Sequence, residues 1–94
     1  MLFTDNPERA SLRAERLAAH VDWIASHPEQ ILVAGSLRNE PGDNPKGGLW
    51  IVEANAKADV LTLVQSDPFF KFGLRASVEV LHWSKAFPEQ FRLV

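Results

Sequence analysis

Apolar positions switch period several times along this chain, and the switches mark its elements. Met1-Leu2-Phe3-Thr4 reads as a short strand, cut by the turn formers Asp5-Asn6-Pro7. Asn6 is placed to cap a helix whose first position is Pro7. The spacing carries that helix to about Ser26, because His27 precedes Pro28 and is biased away from helical dihedrals. A strand follows from Gln30 to Leu37, where Ile31-Leu32-Val33-Ala34 is too short and too β-branched to favour a new helix. Arg38 to Gly48 has the composition of a hairpin loop, longer than a tight turn requires. Leu49 to Glu53 is the next strand, and Asn55 is placed to cap a second helix from Ala56 to Gln65. After the Asp67-Pro68 break, Leu74 to Trp83 alternates as a last strand. Ala76, Val78, Val80 and His82 are expected on one face, and Arg75, Ser77, Glu79, Leu81 and Trp83 on the other.

The order strand, helix, strand, strand, helix, strand predicts an α+β fold. It is a ferredoxin-like βαββαβ plait, with an antiparallel sheet and both helices on one face. The other face would lie open, with Leu81 and Trp83 giving it apolar surface that a second copy of the chain should cover. The expected partner is therefore a copy of the same chain, packed sheet to sheet. At 94 residues the chain forms one domain, 1–94, and buries only around 60–65% of its unfolded surface, which makes dimerisation a plausible source of stability. The apolar tail residues Phe87, Phe91, Leu93 and Val94 are expected to pack on the partner subunit.

Charge narrows the function classes. The net charge of −2, without a basic run, argues against nucleic acid as a partner. No apolar run approaches the length of a membrane span, and the start lacks a signal-peptide pattern. The absence of cysteine removes disulfides and thiolate chemistry and fits a reducing, cytoplasmic location.

Two features point to chemistry. In the first helix, Leu12, Leu17, Val21, Trp23 and Ile24 form an apolar arc, yet Arg13, Arg16 and His20 fall within it, three or four residues apart. Burying unpaired charge is costly, so this column needs a reason. One is structural: arginines snorkelling past the sheet edge and His20 bonded to a backbone carbonyl. The other is a site. Asp67, walled by Phe69, Phe70 and Phe72, lies where the second helix turns back toward the first, so it can meet His20 across a cleft. Asp67 also has a structural role open to it, as the cap of a turn. An imidazole oriented by a carboxylate is a general acid or base, and Arg13 or Arg16 beside it suits an anionic ligand. Ser36 lacks a nucleophile-elbow pattern and is read as a ligand-side hydroxyl, with Trp50 and Phe69 as walls. His20, Asp67 and His82 lack paired metal-ligand spacing, so neither metal nor cofactor is expected. Gly47-Gly48 enters a strand and is turn chemistry rather than a phosphate loop. Glu53, Asp59 and Glu79 are read as solvated.

The chain resembles the YciI-like (YCII-related) family over about residues 1–85. The resemblance rests on the helical His20, Val33-Ala34-Gly35-Ser36-Leu37, Gly48 to Ala54, Ser66-Asp67-Pro68-Phe69 with Gly73-Leu74, and Val78-Glu79-Val80 before Trp83. It implies a ferredoxin-like fold that dimerises into an α+β barrel, with a His–Asp pair that maps onto His20 and Asp67. Relatives include a dehydrochlorinase of a chlorinated hydroxyquinol, and the wider superfamily contains muconolactone isomerases. Two departures accompany it. The family's longer first strand is reduced to Met1–Thr4, which leaves open a start upstream of Met1 or a ragged edge. Gly35-Ser36-Leu37 stands where the family often has Gly-Pro-Leu, adding a hydroxyl near the expected cleft.

Two functions follow from this reading. One is a small cofactor-free lyase, isomerase or dehydrochlorinase-like enzyme, with His20 moving a proton, Asp67 orienting it, and Arg13 or Arg16 binding an anionic group of a cyclic, enolisable substrate. The other is a non-catalytic dimeric module that binds a small molecule or protein, its His–Asp pair purely structural.

Overall fold

The computed structural model describes residues 1–86. Strand β1 (Leu2–Asp5) leads through a 3₁₀ turn (Pro7–Arg9) into helix α1 (Ser11–Ala25). Strands β2 (Ile31–Leu37) and β3 (Gly47–Val52) form the hairpin. Helix α2 (Lys57–Val64), the one-turn helix α3 (Pro68–Lys71) and strand β4 (Arg75–Glu79) complete the fold. The sheet runs β2-β3-β1-β4 and every pairing is antiparallel, which is the expected ferredoxin-like plait. Both central strands carry the core.

Register decides which side chains meet the helices. Phe3 pairs with Gly48 and Val78, and Trp50 pairs with Ala34, so these residues share one face. On it Phe3, Ile31, Trp50 and Val64 form the buried core, with Trp23 and Ile24 of α1, Leu63 of α2 and Phe70 of α3 packed against them. Phe3 meets Trp50 edge to face, 4.8 Å between centroids, the geometry that aromatic quadrupoles prefer.

Several expectations need correction. The first helix does not begin at Pro7. Asn6 does accept from Glu8 N–H, but it caps the 3₁₀ turn, and the α-helix starts after Ala10. Asn55 is not the cap of α2, because extended Ala56 holds that position without a side-chain bond. The Asp-Pro break leads into a third helix rather than directly into a strand. Strand β4 ends at Glu79, so the exposed Leu81 and Trp83 lie beyond it. The open sheet face is apolar for a different reason: pairing places Leu2, Leu49, Ile51, Val33 and Leu37 together on it. In α1 the inward stripe is Arg13, Arg16, His20, Trp23 and Ile24, while Leu17 and Val21, one step further round, are about half exposed.

Arg75 also points opposite to expectation. Thr4 pairs with Ser77 but Asp5 pairs with Arg75, so Ala76 is an extra residue in β4. Such a bulge inverts the alternation, and it turns Arg75 onto the helix-bearing face. The expected packing of the tail concerns residues 87–94, which lie outside the described residues; Ser84 to Ala86 are exposed.

Glycine matters most at Gly47, where a Cβ would run into the Phe3 carbonyl oxygen. Replacing Gly47 by Ala should therefore force β1 and β3 apart and lower unfolding free energy by roughly 2 kcal/mol or more. Gly35→Ala, with nothing within 4 Å of its new methyl, serves as the matched control and should cost far less. Equal urea midpoints for the two variants would contradict this close approach.

Candidate functional site

Helix α3 has a single turn and is capped at both ends. Asp67 is its N-cap, with Oδ1 accepting from Phe69 N–H at 3.3 Å, and Pro68 takes the first position. At the other end Leu74 N–H reaches Phe69 O at 2.9 Å and Gly73 N–H reaches Phe70 O at 3.1 Å. This is a Schellman closure, and it requires the left-handed φ of 89° that Gly73 supplies. Leu74 and Phe69, both fully buried, make its apolar contact. The chemistry-bearing carboxylate is thus fixed by local backbone geometry before any long-range contact is counted.

Two side-chain bonds then tie this segment to α1. Trp23 Nε1–H donates to Ser66 Oγ at 3.0 Å. One turn earlier, His20 Nδ1 lies 2.5 Å from Asp67 Oδ1. An ionised carboxylate only accepts, so Nδ1 carries the hydrogen, and in the neutral ring Nε2 keeps its lone pair. Among the described residues Nε2 has no hydrogen-bond partner, and the side chain keeps 10% of its surface exposed. The imidazole lies flat on Phe69, 3.9 Å between centroids and 11° between planes. Asp67 is fully buried, and its Oδ2 has no partner.

Beyond Phe69 lies a charged network. Asp5 accepts from Arg13 Nε at 2.9 Å through Oδ2 and from Arg75 at 2.8 Å through Oδ1. Arg13 also donates to the Gly47 carbonyl at 2.9 Å. The Arg75 guanidinium lies over Phe3 at 4.3 Å and Phe69 at 5.2 Å, with its end against the bare backbone of Gly48. Burial pulls Arg75 below the ordinary arginine range, opposed by the hydrogen bond and charge of Asp5. Arg16 lies over Phe72 at 3.9 Å.

The structure brings His20, Asp67 and Phe69 into direct contact and sets Arg13 and Arg16 beside them. Trp50 lies beneath His20, 6.1 Å away, but is 2% exposed and belongs to the core. Ser36 accepts from Arg38 at 2.5 Å and lines an open concavity of about 540 Å³ with Arg38 to Gly42. A second, of about 350 Å³, lies between β3 and α2. Neither includes His20. Sequence reasoning missed Asp5 and Arg75, the first taken as a turn former and the second placed on the wrong face by simple alternation. The one available signal was an arginine starting a strand directly after a buried leucine, with Asp5 the acidic residue of the pairing strand. Among the described residues no group of three His, Asp or Glu side chains is arranged to hold a metal.

The model of one protein family, the YCII-related domain, matches residues 1–84. No curated protein matches the sequence. Among solved structures, the chain is similar to 5-chloro-2-hydroxyhydroquinone dehydrochlorinase from Burkholderia phenoliruptrix AC1100, in complex with 2,5-dihydroxybenzoquinone. The TM-score is 0.76 at 29% identity, over 89% of this chain and 94% of that one.

Two measurements check the geometry. Asp5→Asn leaves Arg75 buried without its charge partner and should lower unfolding free energy by about 3 kcal/mol, read from urea denaturation. A loss no greater than that of a surface substitution would mean the network contributes nothing. In long-range ¹⁵N–¹H spectra, neutral His20 should be a single tautomer protonated at Nδ1, and Asp67→Asn should turn it into a mixture.

Proposed function

The chain belongs to the family of YCII-related domains, and we propose that it is a small enzyme that moves a proton on a cyclic, enolisable organic substrate. The observation that carries this reading is the 2.5 Å contact between His20 Nδ1 and Asp67 Oδ1, with Nε2 left without a partner among the described residues. Asp67 holds the Nδ1 hydrogen and keeps the ring on Phe69, so the Nε2 lone pair is directed away from the core. There it accepts a proton from an acidic hydroxyl or C–H and returns it at a second atom of the same molecule. Chemistry of this kind suits a hydroxylated ring: moving a proton from oxygen to ring carbon prepares loss of a leaving group such as chloride, and needs no external oxidant. The dehydrochlorinase that this chain resembles acts on such a ring, which supports that substrate class here.

The same reading gives the protein a second copy of itself as partner. The open face bearing Leu2, Val33, Leu37, Leu49 and Ile51 would pack sheet to sheet, which removes its apolar surface from water. No helix among the described residues is long and apolar enough to cross a membrane, and a cytoplasmic site of action fits the lack of cysteine.

One observation favours the rival reading, a dimeric binding module with a structural His–Asp pair: His20 is 8% exposed, and neither concavity opens on it. Turnover of 5-chloro-2-hydroxyhydroquinone and a panel of hydroxyquinols and lactones separates the two. In the enzyme reading His20→Gln lowers kcat by roughly 10²–10⁴ while Tm moves little. No turnover by the wild type, together with a large drop in Tm for His20→Gln, would establish the structural role.

A further inference from the structure

Three arginines converge on Phe69 of α3 and on Phe72 just beyond it, but they are not equivalent. Arg13 and Arg75 share the carboxylate of Asp5, and Arg13 is further tied to the Gly47 carbonyl. Both are tied to protein acceptors. The Arg16 side chain makes no ion pair and no hydrogen bond among the described residues; its buried Nε, like that of Arg75, has no acceptor. Its hold on the fold is the face of Phe72, which is itself 43% exposed. Arg16 stands one helical turn before His20 on the same stripe of α1, so guanidinium and imidazole open to the same side.

A charge count sharpens this. The charged side chains in contact with Phe69, with Phe72 or with one another, leaving His20 neutral, are Asp5, Asp67, Arg13, Arg16 and Arg75. Three guanidiniums face two carboxylates, which leaves one positive charge; Asp5 bonds both Arg13 and Arg75 and the Asp67 charge also acts on Arg75, so Arg16 is the guanidinium without a carboxylate partner. We infer that Arg16, rather than Arg13, is the anion-reading residue of this site, and that the ligand is a planar organic molecule carrying one negative charge beside its reacting ring. The ligand's oxygens take the free guanidinium edge, and its ring lies along Phe72 and the exposed rim of His20. Arg13, by contrast, is a positioning residue that holds β1, β3 and Phe69 together. This rests on the proton-transfer reading of the same site but concerns binding, so the two can fail separately.

Benzoate and its neutral counterpart benzamide serve as probes, in titrations that follow the His20 ring and Arg16 Nε–H resonances. Benzoate is expected to shift both signals, and benzamide to shift neither. Arg16→Gln should weaken benzoate at least about tenfold, with Arg16→Lys recovering part of the loss, since a bidentate guanidinium outperforms a point charge. Thermal melting guards against unfolding, and Arg16→Gln should move Tm little, because Arg16 has no ion pair or hydrogen bond to lose and only its stacking on half-exposed Phe72. Benzamide binding as well as benzoate, benzoate indifferent to Arg16, or no shift at millimolar benzoate each overturns the assignment. Charge-dependent binding without His20-dependent turnover would sink the enzyme reading and keep Arg16. Turnover that needs His20 but ignores Arg16 would do the reverse.

Discussion

Asp67 Oδ1 accepts two hydrogen bonds, and the rest of the site depends on that sharing. One comes from the Phe69 N–H and starts α3; the other comes from His20 and anchors α1. A fully buried carboxylate is costly, and with Oδ2 left without a partner the two donors to Oδ1 supply the hydrogen bonds that offset that cost. The same atom therefore defines a helix terminus, joins two helices and fixes an imidazole tautomer. Its position follows from the backbone, because α3 is closed at both ends by local geometry that tolerates little drift.

The second constraint is how a small domain keeps so much charge inside. Arg75 and Asp5 are almost completely removed from water, and their side chains lie on the same sheet face as Phe3 and Trp50. They are tolerated because each charge has a partner and each flat guanidinium has an aromatic face to lie on. Phe69 sits at the centre, with the imidazole stacked on it and two guanidiniums beside it. Apolar burial alone does not orient His20. A ring shared with a neutralised charge network does.

Much of this was legible in the sequence. The periods of 3.6 and 2 gave the helix and strand order, and that order gave the plait. The misplaced column Arg13, Arg16 and His20 marked the inward stripe of α1, and the Asp-Pro-Phe stretch gave His20 its partner. What stayed hidden has a common physical cause. Short-range pattern does not record a register shift, so simple alternation puts Arg75 on the wrong face and composition puts Asp5 in a turn. Nor does it tell which apolar residues a helix turns inward: Leu17 and Val21 looked like core and instead lie beside a stripe of charged and aromatic side chains. α3 was missed because four residues carry no periodicity, and it exists through its caps.

The extra residue Ala76 sets a rule about length rather than chemistry. Ala76 is exposed, so exchanging its side chain should be tolerated. Its presence in the count is another matter. Between Gly73, which ends α3, and Val78, which re-enters the core, the chain must spend four residues; with three, Arg75 or Val78 would face solvent and Asp5 would be stranded. Natural variation in this segment should therefore consist of substitutions and almost never of insertions or deletions. Spacing across it is a more discriminating marker of the charged network than the identity of any single residue there.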